Sequence, residues 1–359
     1  MIPQTDIISA DWQQQLRDVI STGEHLLQAL QLRPEQVGFS ERASRDFALK
    51  VPRAFVTRMR VGDPSDPLLR QVLSHRRELL AEPGYGTDPV GETDDAVRQP
   101  GIIQKYHGRV LLVLSGGCAI NCRYCFRRHF PYPDHRNSRS DWQRALQTIA
   151  ADPSISEVIL SGGDPLLVSD LQLAELVRGI AAIGHVQRLR VHTRLPVVIP
   201  ARVTGGLLQA LTGTRLPCVV VIHSNHANEV DAAVHDAMRF MQAQGITLLN
   251  QAVLLAGVND DADALVTLSE RLFAVGVLPY YLHLLDKVQG AAHFDVPQHR
   301  GTALIEATKE RRAIELLRER RFAEWKAAQA KAETAAIDEL AVITGQKPVV
   351  RRARKSIAA

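Results

Sequence analysis

The stretch that decides the reading is Val110-Leu-Leu-Val-Leu-Ser-Gly-Gly-Cys118-Ala-Ile-Asn-Cys122-Arg-Tyr-Cys125-Phe-Arg127. Apolar and β-branched residues bounded by Ser-Gly-Gly predict a buried strand over 110–114. Three cysteines follow in a C-x3-C-x2-C loop. Thiolates at this spacing can ligate three irons of a cubane cluster from one short loop, leaving the fourth iron without a protein ligand. A catalytic metal that must bind its substrate needs such an open position. Zinc with His129 as a fourth ligand, or a chance gathering of thiols, are the alternatives for the same residues.

Outward from the loop, the chain of 359 residues has one more cysteine. Cys218, in Pro-Cys-Val-Val-Val, reads as a buried strand thiol. Clustering of the other three argues for metal or redox chemistry over a disulfide framework. An apolar content of 45% and a charged content of 23% suit a globular chain. No apolar run reaches the length of a membrane span, and the first residues lack the basic-then-apolar pattern of a signal. A cytoplasmic protein without a membrane partner is therefore expected. Residues 300–359 carry 14 Lys and Arg against 8 Asp and Glu, an excess of +6, so the other residues carry −2 of the net +4.

Residues 1–100 read as a mostly helical region, with helical spacing over 11–20 and 23–32 and a capped helix start at Ser40. Strands are predicted over 110–114, 157–160, 188–191, 219–223, 247–253 and 278–284. Helices are predicted over 142–150, 170–183, 204–211, 229–244 and 262–275. Six strands with helical crossovers over 101–297 make a parallel α/β unit, a barrel or an open sheet, whose ligands bind beyond the carboxyl ends of the strands. Residues 298–340 read as one long amphipathic helix, and 341–359 as a basic, solvated tail rather than an RNA-binding one.

With these elements in place, the chain resembles the lysine 2,3-aminomutase family of radical S-adenosylmethionine enzymes. The likeness is carried by CAINCRYCFRRHFPY at 118–132, VPRAFVTRMRVGDPSDPLLRQVL at 51–73, KYHGRVLLVL at 105–114 and SGGDPLL at 161–167. It continues through RLRVHTRLPVVIPARVT at 188–204, NHANEVD at 225–231, LLNQAVLLAGVND at 248–260 and PYYLHLLDKVQGAAHF at 279–294. It covers about residues 8–297 and is nearest the branch that makes β-lysine to modify elongation factor P. The resemblance implies a partial (β/α)6 barrel holding a [4Fe–4S] cluster, S-adenosylmethionine and pyridoxal 5′-phosphate. It also implies conversion of (S)-α-lysine to (R)-β-lysine with an external electron donor of flavodoxin or ferredoxin type. Relatives often self-associate. Moving an amine between carbons needs a radical because the β-hydrogen is not acidic, and the coenzyme supplies the π-system that lets nitrogen migrate.

Residue by residue, the resemblance implies that Cys118, Cys122 and Cys125 hold the cluster. Ser161, Gly162, Gly163, Asp164 and Gln251 would meet S-adenosylmethionine. Lys105, Tyr106 and Arg109 would take the coenzyme phosphate, two cations and a hydroxyl suiting a dianion. Arg127 would clamp the substrate carboxylate and Asp286 the ε-ammonium, with His223, Asn225 and His226 lining the pocket. Each has a blander counterpart: a plain turn at 161–165, a solvated edge at 105–109, and a surface basic pair of Arg127 with Arg128. For Gln251 it is a strand-capping amide, and for Asp286 an ion pair with Lys287. No lysine is assigned as the coenzyme's aldimine partner. Lys331 lies in a charged helix, and Lys347, in Thr-Gly-Gln-Lys-Pro, falls too far along. Two rival readings stay open: a radical core that cannot complete the migration, and a scaffold or RNA-binding chimera. The second rests on residues 337–359, which resemble part of the large-subunit ribosomal protein that binds 5S RNA.

Overall fold

Alternation of side chains explains most of the sheet. In strand 109–115, Val110, Leu112 and Leu114 join the main hydrophobic cluster, while Leu111 and Val113 face the other way, onto Phe130 and Tyr132. In strand 218–223, Cys218, Val220 and Ile222 take the cluster side, and Val219, Val221 and His223 take the opposite face. The computed structural model describes residues 11–92, 97–99, 101–132 and 139–310. Its strands are β1 (Val19–Ile20), β2 (Val51–Pro52), β3 (Val97–Gln99), β4 (Ile102–Ile103), β5 (Arg109–Ser115) and β6 (Glu157–Gly162). They continue with β7 (Arg188–Thr193), β8 (Cys218–His223), β9 (Thr247–Val253) and β10 (Leu278–His283).

β1 and β2 pair by themselves, and the other eight form one sheet in the order β10-β9-β8-β7-β6-β5-β4-β3. β5 through β10 are all parallel, and β4 and β3 continue the sheet antiparallel. Helices Arg139–Ala151, Asp170–Ala181, Gly205–Thr212, Ala232–Ala243 and Ala262–Ala274 make the crossovers. The result is a partial (β/α)6 barrel, as expected. Each predicted barrel strand is present within a few residues. The edge pair β3–β4 is an addition that sequence reading did not contain.

The helix starts are fixed by side-chain caps. Ser169 accepts from the Gln172 amide, Thr204 from Leu207, Asp231 from Val234 and Asp261 from Ala264. The expected helix start at Glu229 is corrected to Ala232, because residues 227–229 form a 3-10 turn and Asp231 is the cap. Among the described residues of the first hundred, the helices are short, such as Gly23–Ala29 and Glu41–Asp46. Leu26, Leu27, Phe55, Leu68 and Leu69 belong to the same hydrophobic cluster as the barrel strands.

The chain divides into a compact unit up to Thr308 and a second, Lys309–Ala359. Of the second, only Lys309 and Glu310 are described, at the end of helix Gln298–Glu310. The rest of the expected long helix, the basic tail, Lys331 and Lys347 lie outside the described residues. Among the described residues no helix is long and apolar enough to cross a membrane.

Candidate active site

The cysteine loop leaves β5 and is bolted down on both sides. The Gly163 amide donates to the Ser115 carbonyl at 2.7 Å and the Asp164 amide to the Gly117 carbonyl at 2.8 Å. A Cβ on Gly163 would overlap the Gly117 carbonyl, and one on Gly162, whose φ is +122°, would lie 2.6 Å from the Ser115 oxygen. These two glycines let the cysteine loop seat on β6. On the other side, Lys50 Nζ donates to the Cys118 carbonyl at 2.8 Å and the Asn121 amide to the Lys50 carbonyl at 3.0 Å. Arg123 has no exposed surface. It donates to both oxygens of Glu78 and to the carbonyls of Phe47 and Ala43.

The three thiols of the loop are partly exposed and unbridged. Burial, with the neighbouring thiols and Asp164, pushes Cys118 up, and burial with Cys122 beside it pushes Cys125 up to about 11. Thiols so placed ionise when a cation joins them, which iron supplies. Among the described residues no three His, Cys, Asp or Glu side chains gather around one point as a single metal ion needs. Three soft thiolates on one short loop are the donor set of a cubane with one open corner. His129 Nε2 lies 3.3 Å from the Gln289 carbonyl.

At the end of β6 the side chains serve the fold. Asp164 is buried, and its two oxygens accept from Thr193 Oγ1 and the amides of Leu166, Arg194 and Leu195. Ser161 Oγ and the Gly162 carbonyl accept from Arg127 Nη1, both at 3.1 Å. The face of the sheet away from the helices carries Arg190, His192, His223, Gln251 and His283. Gln251 Nε2 lies 3.1 Å from His223 Nε2. The strand-capping amide is its neighbour Asn250, which bonds the backbone of Ser224 in both directions. Burial pulls the His192 imidazole down to about 3, with Arg190, Arg127 and His283 adding to the effect, and its Nε2 is buried with no hydrogen-bond partner among the described residues. An orphaned polar atom on this face fits a site that takes a polar ligand.

Arg127 and Arg128 are not a surface pair. Arg127 Nε and Nη2 grip the two oxygens of Glu92 at 2.6 and 2.9 Å, whereas Arg128 Nη2 turns to Glu78 at 3.0 Å. Lys105 Nζ donates to the Val90 carbonyl and stands 3.8 Å from Glu92. Arg109 lies over the Tyr106 ring at 5.4 Å, and both residues are exposed. Burial raises the Asp286 carboxyl; the charges of His283, Glu92 and Lys105 also act on it. Among the described residues it forms no ion pair with Lys287. Sequence reading passed over Glu92, whose only signal is one acid in a polar Gly-Glu-Thr-Asp run.

Reading also missed a buried network behind the loop. Arg194 donates to Cys122 Sγ at 2.7 Å, Tyr124 Oη at 2.8 Å, Gln71 Oε1 at 2.7 Å and Glu229 Oε2 at 2.9 Å. Asn225 Nδ2 donates to Tyr124 Oη at 2.6 Å and to Gln71 Oε1 at 3.0 Å. Asn225 is therefore a member of this network, and His226 caps the following turn by accepting from the Asn228 amide.

The radical SAM superfamily model matches residues 112–204. The L-lysine 2,3-aminomutase of Escherichia coli (strain K12) is 50% identical over 287 residues, covering 80% of this chain and 83% of that protein. That of Haemophilus influenzae is 49% identical over 296 residues, covering 82% and 87%. That of Clostridium subterminale is 33% identical over 301 residues, covering 83% and 72%. Sustained identity across the whole barrel, on a fold whose cysteine loop crowns the first parallel strand, places the sequence within one family: this chain belongs to the L-lysine 2,3-aminomutases of the radical SAM superfamily.

Proposed function

We propose that this chain converts L-lysine to β-lysine, with the three cysteines holding a [4Fe–4S] cluster and an external flavodoxin- or ferredoxin-type donor supplying the electron. One observation carries the assignment of the substrate. Arg127, from the cysteine loop, is ion-paired with Glu92, which stands 3.8 Å from Lys105, and Asp286, beyond β10, feels the charges of both Glu92 and Lys105. A guanidinium fork and a half-buried carboxyl around one charged group suit the two ends of a lysine. When bound, the cluster and S-adenosylmethionine supply a carbon radical, and pyridoxal phosphate a π-system for the migrating amine.

The protein's own contribution is positional. Arg127 orients the carboxylate, Asp286 takes the ε-ammonium, and Lys105, Tyr106 and Arg109 receive the coenzyme phosphate. Gly162 and Gly163 keep the cysteine loop on β6, and the neutral His192 and His223 offer uncharged polar contacts at the barrel face. Holding the reacting atoms together away from water is what such a site can add to radical chemistry. Delivery of the product to elongation factor P rests on the sequence resemblance.

Anaerobically reconstituted protein, given reductant, S-adenosylmethionine, pyridoxal phosphate and lysine, is expected to form β-lysine. Replacement of Cys118, Cys122 and Cys125 together by Ala should abolish both iron and turnover. Retained iron in that triple variant would overturn the cluster assignment. Release of 5′-deoxyadenosine without β-lysine would instead favour a radical core that lacks its coenzyme lysine. Borohydride reduction and peptide mapping would identify that lysine. Loss of the β-lysyl mass from elongation factor P in a strain lacking this chain tests the destination.

A further inference from the structure

The geometry points to Glu92 as a resident counter-ion that occupies the Arg127 fork in the shape of a bound carboxylate and is displaced by the α-carboxylate of the substrate. The inference rests on the assignment of Arg127 proposed above and goes beyond it by naming what the substrate must remove.

A guanidinium has five N–H groups. In Arg127, Nε and Nη2 each give one to Glu92, and Nη1 gives two, to Ser161 Oγ and the Gly162 carbonyl. One N–H of Nη2 remains, which cannot make a bidentate grip. The Arg127 side chain is only 6% exposed, so a second carboxylate has no other approach. A substrate carboxylate can take the two-point geometry only if Glu92 leaves.

The surroundings let it leave. Exchange of one carboxylate for another conserves the charge of the site, so no buried guanidinium is left bare. Lys105 Nζ already lies 3.8 Å from Glu92, and an ammonium with three donors can keep the displaced carboxylate beside it while it also meets the coenzyme phosphate. Gly91, immediately before it, has φ +63°, a left-handed position suited to a hinge. The Glu92 amide donates to Asp88 Oδ1 at 2.9 Å, a bond that reports whether the segment is in its resting position. The arrangement would also select for amino acids, since a diamine without a carboxylate cannot make the exchange.

The test measures binding of lysine and of 1,5-diaminopentane to the reconstituted holoenzyme by calorimetry, for wild type, Glu92→Gln and Arg127→Ala. Glu92→Gln should tighten lysine about tenfold, a modest share of what a charge-assisted pair carries, and leave the diamine unchanged. Weaker or unaltered lysine binding in this variant, with Arg127→Ala still impaired, overturns the displacement and leaves the Arg127 assignment standing. Unaltered lysine binding in Arg127→Ala overturns that assignment and this proposal with it. Should Glu92→Gln fail to fold, hydrogen exchange in the wild type decides. Saturating lysine should speed exchange of the Glu92 amide, and slower or unchanged exchange refutes the displacement.

Discussion

Replacing Glu229 by Ala tests whether the buried network behind the cysteine loop is held by one carboxylate. Glu229 has no exposed surface, and its oxygens accept from Arg194 Nη2 at 2.9 Å, Gln71 Nε2 at 3.0 Å and the amides of Asn225 and His226 at 2.9 and 3.1 Å. Removing one partner of a buried ion pair costs about 3–5 kcal/mol, because the other charge stays behind. The two amides would each lose about 1 kcal/mol or more, but such losses overlap within one network. We expect a total near 4 kcal/mol, read as the shift in urea midpoint multiplied by an unchanged slope. That is a large share of a typical stability of about 5–15 kcal/mol. The double variant Arg194→Met with Glu229→Ala removes both charges and should recover at least about half of the loss. A loss below about 1 kcal/mol in the single variant, or no recovery in the double, would refute the reasoning.

Other outcomes follow from the same geometry. Gly163→Ala forces a methyl onto the Gly117 carbonyl, an overpacking cost of about 1–3 kcal/mol. Iron and acid-labile sulfide per reconstituted chain should fall, while Gly184→Ala, where the added carbon meets nothing within 4 Å, should keep both. The His192 imidazole is held down to about 3 when folded and is near 6.5 when unfolded. The unfolded chain therefore takes up the proton first as pH falls. Its contribution to stability is complete above about pH 6.5 and is lost progressively toward pH 3, at up to about 1.4 kcal/mol per pH unit. Urea midpoints of the cofactor-free protein between pH 7 and 5 should fall more steeply for wild type than for His192→Gln, and parallel slopes would contradict the assignment.

What was legible in the sequence was local. Strand runs such as 247–253 and caps such as Asp261 declare themselves within a few neighbouring residues, and the barrel strands were found nearly in place. The cysteine loop was legible because its ligands are consecutive in the chain. Glu92 was not, because its meaning comes from Arg127, 35 positions away. Gln71, Arg194 and Glu229 were hidden for the same reason: each looks like an ordinary surface polar residue until the fold buries the three together. The Gly162-Gly163 pair was read for its contact with S-adenosylmethionine, and the structure adds a close approach of the cysteine loop at the same two residues.

The same loop gives the first hundred residues a task. Their segments 43–50 and 71–78 supply the surface against which the cysteine loop is moulded. Ala43, Phe47, Ala48, Lys50 and Gln71 contribute backbone or side-chain bonds to Cys118, Asn121 and Arg123, and Glu78 is ion-paired with both Arg123 and Arg128. A loop that binds iron by three points needs its backbone fixed before the metal arrives, or ordering it would consume much of the binding free energy. Here many of the fixing groups come from outside the barrel. Loosening the Glu78 ion pairs should therefore weaken cluster retention before it weakens the barrel. In Glu78→Gln, iron would be lost to a chelator faster than from wild type, while far-ultraviolet circular dichroism stays unchanged. Equal rates of loss would place the rigidity of the loop in the barrel instead.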